Sequence, residues 1–156
     1  MVSEEAYKEA MQRALKMLER RDYAEGELVD RLRQKGIEEE AAAKAAERLT
    51  ELGLINNKKF AATLVRHYSA KGFGLGKIRS EFIKRRVPRE LWDEALSELP
   101  EQTDEVYSLL LKKLGNRERS RENIRKAGAS VMRRGFSWDE VSAATQRLLH
   151  EEEYEE

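Results

Sequence analysis

Apolar residues recur along this chain at spacings of three and four, the period of an amphipathic helix, with charged residues between them. Ala10, Met11, Ala14, Leu15 and Leu18 predict a helix over residues 4–21. Asp22 with Glu25 three residues later reads as an acidic capping box opening a second helix. That helix carries Leu28 and Leu32 inward and stops at Gly36, a C-terminal capping glycine. A third helix spans residues 38–52, with an acidic first turn suited to the helix dipole, and Gly53 ends it. The plan then restarts. Asn57 is the predicted N-cap of a helix whose apolar face is Phe60, Leu64, Val65 and Tyr68. Gly72-Phe73-Gly74 turns the chain, and Ile78 and Phe82 face inward on the next helix. Pro88 suits the first turn of the helix after it, with Trp92, Ala95, Leu96 and Leu99 inside. Thr103 predicts a cap for a helix through Leu114, residues 117–134 a longer helix, and Ser137 with Glu140 a capping box for a last helix ending near His150. Gly128 inside a helix costs about 1 kcal/mol against alanine, which implies close helix packing there.

These elements repeat. Gln34-Lys35-Gly36-Ile37, Lys84-Arg85-Arg86-Val87 and Arg133-Arg134-Gly135-Phe136 carry one pattern: basic residues, an apolar residue, then the start of a helix. Gly36, Arg86 and Gly135 lie 50 and 49 residues apart. On that register Leu28, Ile78 and Ala127 coincide, as do Leu32, Phe82 and Val131; Ala45, Ala95 and Ala144; and Leu49, Leu99 and Leu148. The expected fold class is all-α, an elongated tandem array of three three-helix repeats over residues 1–54, 55–100 and 101–150, with an acidic, frayed tail at 151–156. Such arrays offer long binding faces more readily than one catalytic pocket.

Charge changes this picture from architecture to partner. The chain is formally neutral, but the first repeat is net −3, the second +5 and the third with its tail −2. Lys58 to Arg89 holds ten basic residues and a single acid, Glu81; Lys112 to Arg134 holds nine basic residues and two acids. Solvated helices normally mix signs, so acid-depleted stretches point to an anionic partner met by part of the surface. Cysteine is absent, which excludes disulfides and thiolate metal sites and fits a reducing cytoplasm. No apolar run approaches a membrane span, and the N-terminus lacks the pattern of a signal peptide, so neither membrane nor secretion is expected.

Catalytic readings fail on spacing. Gly72-Phe-Gly-Leu-Gly76-Lys77 has three residues between its outer glycines, Ile78 after the lysine and no preceding strand, so it reads as an interhelical turn rather than a phosphate loop. His67 and His150 stand in different repeats with no metal-ligand spacing, and His67 with Ser69 lacks a nucleophile elbow or third member. No catalytic residue, metal site or cofactor is expected, and the chain reads as a non-enzyme. The basic residues are the candidates. Arg66, Lys71, Lys77, Arg79, Lys84, Arg85 and Arg86 form the principal partner-binding set. Arg117, Arg121 and Arg125, a stripe at every fourth residue, form a second set with Arg133 and Arg134. Such a surface meets nucleic-acid phosphates or an acidic protein face. Tyr23, Phe73 and Trp138 are either anchors for that partner or helix-junction core; Trp92 is core.

Ala14-Leu-Lys-Met-Leu-Glu-Arg-Arg-Asp-Tyr-Ala-Glu-Gly-Glu-Leu28 continuing to Leu32-Arg-Gln-Lys-Gly36, then Leu52-Gly-Leu-Ile-Asn-Asn-Lys-Lys-Phe-Ala61 and Lys71-Gly-Phe-Gly-Leu-Gly-Lys-Ile78, resemble the RecX family, bacterial regulators of the RecA recombinase. The resemblance covers residues 8–150. Asn57 stands where that family usually has aspartate, Ala24 where serine is common, and Arg86 in place of the central turn's glycine. The resemblance implies a small helical repeat protein that lies in the groove of the RecA–DNA filament and suppresses ATP hydrolysis, filament extension and strand exchange. The implied setting is DNA repair, the SOS response and homologous recombination. The expected partner is the RecA filament, with single- or double-stranded DNA as a further partner, and the expected state is a monomer. The alternative is a helical module that binds DNA directly and acts by competition for it.

Overall fold

The computed structural model describes residues 1–155, with side chains through Glu153. Among the described residues there are nine α-helices and no strand: α1 (Glu4–Arg20), α2 (Glu25–Gln34), α3 (Glu39–Glu51), α4 (Asn57–Ala70), α5 (Leu75–Lys84), α6 (Trp92–Leu96), α7 (Thr103–Leu114), α8 (Arg121–Arg133) and α9 (Trp138–Glu155). A 3-10 turn, Arg89–Leu91, leads into α6. The repeat register is largely a burial register: Leu28, Ile78, Leu32, Phe82 and Val131 are fully buried, and Ala127, Ala45, Ala95, Ala144, Leu49 and Leu148 are buried, whereas Leu99 lies beyond the end of α6 and is only half-buried.

The chain divides into two compact units, Met1–Leu64 with Glu81–Glu98, and Val65–Ser80 with Leu99–Glu156. In the first unit, Ala10 and Ala14 of α1 and Ala41, Ala42, Ala45 and Ala46 of α3 are fully buried in one core with Leu28, Leu32 and Leu49. Small side chains at those positions let helix backbones approach, while the leucines supply the larger area removed from water. Phe82 is fully buried, and Trp92 tilts against it at 5.4 Å while its indole N–H donates to the Val87 carbonyl at 3.0 Å. In the second unit α7, α8 and α9 enclose Val106, Leu110, Leu114, Ile124, Val131, Phe136, Val141 and Leu148. Gly128 is where α8 and α9 touch: a Cβ there would lie 3.0 Å from Val141 Cγ1.

The helix termini depart from expectation in instructive ways. Asp22 does not cap α2. Its N-cap is Ala24, which offers no side-chain acceptor, and the Glu25 N–H donates instead to Asn57 Oδ1 at 2.8 Å. Asn57 is therefore released from capping its own helix, and Asn56 accepts from the Lys59 N–H at 3.0 Å. Thr103 is the first residue of α7 rather than its cap, and its hydroxyl donates to Glu101. Pro88 precedes the 3-10 turn by one residue. Helix α8 starts at Arg121, not Arg117, because Ser120 caps it by accepting from the Asn123 N–H at 3.1 Å. The Ser137–Glu140 capping box forms reciprocally, at 2.9 and 3.1 Å. Helix α9 continues through Glu155, well past His150. The Tyr107 hydroxyl and Arg147 hold Glu151, and Arg119 pairs with Glu152 at 3.4 Å. Of the predicted frayed tail, Glu156 lies outside the described residues.

Candidate functional site

The repeated basic turns come first, because they carry many of the candidate residues. Gly36, Arg86 and Gly135 all adopt left-handed backbone, with φ of +92°, +58° and +101°. Arg86 is the one non-glycine with positive φ among the described residues. At Gly36 the amides of Gly36 and Ile37 reach back to Arg33 and Leu32 at 3.0 Å each; at Arg86 those of Arg86 and Val87 reach Ile83 and Phe82 at 3.2 and 2.9 Å. This is the Schellman closure, which satisfies the last helix carbonyls and needs left-handed backbone at its C′ residue. The other two copies of this turn carry glycine; here arginine takes up the same left-handed backbone at a cost of about 1–2 kcal/mol.

The glycine-rich segment between α4 and α5 is a backbone docking site. The Gly74 and Gly76 amides, at the start of α5, donate to the carbonyls of Arg134 and Gly135 at 2.9 Å each. A Cβ on Gly74 would fall 2.7 Å from the Gly135 backbone, and one on Gly135 would fall 2.5 Å from the Lys77 amide. The donors that a phosphate loop would offer an anion are thus already used by the chain itself. Ser69 Oγ donates to the Arg66 carbonyl at 3.2 Å, while His67 meets Tyr68 edge to face at 5.0 Å. Among the described residues no group of three or more His, Asp or Glu is placed to hold a metal ion, and no helix is long and apolar enough to cross a membrane.

The candidate cations divide by what their own chain does with them. Arg134 is a structural brace: Nε and Nη2 donate to the carbonyls of Gly72 and Lys71 at 2.9 and 2.6 Å, and the guanidinium lies 4.2 Å from the Phe73 ring centroid. Arg85 Nε binds the buried Glu81 carboxylate at 2.9 Å. Arg86 sits 3.5 Å from Asp30, and Lys77 stands 5.7 Å from the rings of Tyr68 and Phe73. Arg66, Lys71, Arg79 and Lys84 are exposed, as are Arg117, Arg121, Arg125 and Arg133. Arg117 stands in the turn between α7 and α8, so the predicted stripe is helical only from Arg121 onward.

Three clefts show which of these cations act together. In the first unit, Lys84 and Arg85 share a cleft of about 440 Å³ with Arg21, Arg31, Glu27 and Asp30, so their field is locally mixed. In the second, Lys113, Arg117, Arg125, Lys126 and Arg133 line a cleft of about 470 Å³ with no acid in its walls. The third escaped the charge windows. Arg13, Lys16, Arg20, Arg31 and Lys35 surround a cleft of about 840 Å³ between α1 and α2, with Glu9 the only acid. It belongs to the repeat with a net negative sequence. Arg13, Lys16 and Arg20 are spaced by three and four, so one helix face gathers them, with Glu9, paired to Arg13 at 3.4 Å, the acid that shares it. That spacing was the available signal; a linear charge count averages it away.

Hydrogen bonding and ion pairing displace three titrations. Glu94, 2.9 Å from Lys58 Nζ, raises the Lys58 ammonium. The Tyr107 hydroxyl and then Arg147 hold the Glu151 carboxyl below its ordinary range. Glu151 and Asp104 raise Arg147 in turn.

Comparison with known proteins agrees with this architecture. Residues 10–49 match the family model described as RecX, first three-helix domain, and residues 56–96 that of RecX, second three-helix domain. A regulatory protein RecX of Xanthomonas axonopodis pv. citri (strain 306) is 34% identical over 137 residues, covering 86% of this chain and 85% of that one. One of Stenotrophomonas maltophilia (strain R551-3) is 33% identical over 139 residues, covering 86% and 84%. The crystal structure of RecX from Lactobacillus salivarius has the same fold, with a TM-score of 0.79 at 23% identity over 92% of this chain and 97% of that one. With both three-helix domains matched and relatives aligned over most of its length, this chain belongs to the RecX family of regulatory proteins.

Proposed function

We propose that this protein is a non-enzymatic regulator of the RecA recombinase, binding the RecA–DNA filament groove and suppressing ATP hydrolysis, filament extension and strand exchange in the cytoplasm. Membership of the RecX family carries the reading. The cleft of Lys113, Arg117, Arg125, Lys126 and Arg133 supplies the surface: no carboxylate lines it, Lys126 pairs with Glu122 at 3.3 Å outside the lining, and an anionic partner gains most where few carboxylates compete for the cations. The α1–α2 cleft is a second basic surface, with Glu9 in its lining paired to Arg13 at 3.4 Å. Arg66, Lys71, Arg79, Lys84 and Arg121 act as exposed flanking contacts. Arg85, Arg86 and Arg134 contribute by shaping the turns that carry them.

The test is RecA ATPase on single-stranded DNA, titrated with the parent chain and with a variant carrying Arg117→Glu, Arg125→Glu and Arg133→Glu. These side chains are exposed, so helicity by circular dichroism stays unchanged while inhibition is lost. Full inhibition by the variant removes this cleft from the reading. A parent chain that alters neither ATPase nor strand exchange overturns the reading itself.

Direct DNA binding with competition for DNA is the second reading, favoured by the same acid-free cleft. It requires that affinity for free DNA fall linearly with salt on a log–log plot, with a slope near −0.7 per phosphate for single strands. Tight filament binding with negligible affinity for free DNA rejects it.

A further inference from the structure

The α8–α9 face of the second unit carries a groove of a different character, about 600 Å³ in volume. Ile124, Gly128 and Val141 form its floor, and Met132, Trp138 and Leu149 stand on its walls with 39%, 67% and 46% of their surface exposed. Three large apolar side chains exposed around one depression are a patch that gains by being covered. Arg119, Arg121 and Arg125 lie along the groove, and no carboxylate lines it. Arg119 is paired with Glu152, whereas no described carboxylate pairs with Arg121 or Arg125.

The composition selects the occupant. A phosphate backbone would satisfy the arginines but would give Met132, Leu149 and Ile124 no apolar surface to bury. A second copy docking by a two-fold contact would set one arginine edge against the other, because an isologous interface places the same patch on both sides. We propose that this groove docks an acidic amphipathic peptide segment of a partner protein. Its apolar side chains, at helical spacing, fill the floor between Met132, Trp138 and Leu149, and its carboxylates meet Arg121 and Arg125. The inference does not depend on which protein supplies the segment or on RecA regulation, and it adds a second kind of recognition to the basic clefts.

The experiment is selection of a displayed random-peptide library on the full-length chain, followed by affinity measurement on the enriched peptides. Enriched sequences are expected to combine Leu, Ile, Phe or Met at spacings of three and four with Asp or Glu beside them. Met132→Glu should weaken them by at least about tenfold, and Arg121→Glu by a comparable factor that shrinks as salt rises. If Met132→Glu loses helicity, Leu149→Glu carries the same test from α9. The proposal is overturned by a library that yields no enrichment, by enrichment of basic sequences, or by peptides that bind the folded variant undiminished. Complete displacement of the peptides by a single-stranded oligonucleotide would assign the groove to nucleic acid and overturn it. So would a concentration-dependent dimer abolished by Met132→Glu, which would assign it to a second copy.

Discussion

The turn at Arg86, in the first unit, and the turn at Gly135, in the second, end equivalent helices with the same left-handed backbone. Their surroundings differ. Gly135 is pressed against another backbone, with the Lys77 amide 2.5 Å from where a Cβ would lie, and Arg134 beside it clamps the carbonyls of Lys71 and Gly72. Around Gly36 nothing comes within 4 Å of an added Cβ. Arg86 has a Cβ of its own, 3.1 Å from the position a Cβ on Gly26 would take, and its guanidinium reaches toward Asp30. One repeated position therefore answers two separate demands. Backbone sign is required in every copy, whereas absence of a side chain is required only where a second backbone docks. An arginine is affordable in the turn of the first unit because only the first demand applies there.

The comparison breaks most readily at Gly135. Gly135→Ala should destabilise the protein by about 3 kcal/mol, combining left-handed strain with overpacking against Lys77, as read from urea unfolding. A loss below about 1 kcal/mol would mean that the close backbone approach is not needed, and the contrast with Arg86 would collapse. Arg134→Lys comes next, at about 2 kcal/mol, because lysine keeps the charge but not the fork that serves two carbonyls. Retained stability would reduce Arg134 to an ordinary surface cation and return it to the partner-binding set.

Gly36→Ala and Arg86→Gly form a pair of opposite sign. The first should cost about 1 kcal/mol by strain alone. The second should stabilise by less than about 1 kcal/mol, since relief of strain is partly offset by the lost Asp30 contact and by a more flexible unfolded chain. Equal signs would show that Arg86 is held for a local reason beyond the backbone. The smallest effect lies outside the turns, at Glu151. Its depressed carboxyl contributes stability above the unfolded pKa, and that contribution is lost as pH falls through the folded one. Tyr107→Phe should move the Glu151 titration upward, seen in carboxylate carbon shifts by NMR, with Arg147 still limiting the rise.

Helix content, the repeat register and the burial of Leu32, Phe82 and Val131 were legible from spacing, because period and hydrophobicity are local properties. The closures at Gly36 and Gly135 and the Ser137–Glu140 box were legible for the same reason: their partners lie within one turn of helix. The errors cluster where the partner is distant. Asp22 looked like a cap because the true acceptor, Asn57, is thirty-two residues away. Arg117 looked helical because charge periodicity ran through a turn that Ser120 ends. The bracing role of Arg134 was likewise illegible, because nothing in its neighbourhood along the chain announces the carbonyls of Lys71 and Gly72. The candidate site was only half legible, since summing charge along the chain found the second unit's basic cleft and missed the one between α1 and α2.

By itself the sequence determined that this chain folds as repeated helices closed by left-handed turns, since those features follow from local periodicity and backbone sterics. Which cations remain available to a partner was decided by tertiary structure alone. Occupancy depends on which carbonyls and carboxylates the fold brings within hydrogen-bond reach, and for Arg134 the two carbonyls lie 62 and 63 residues away.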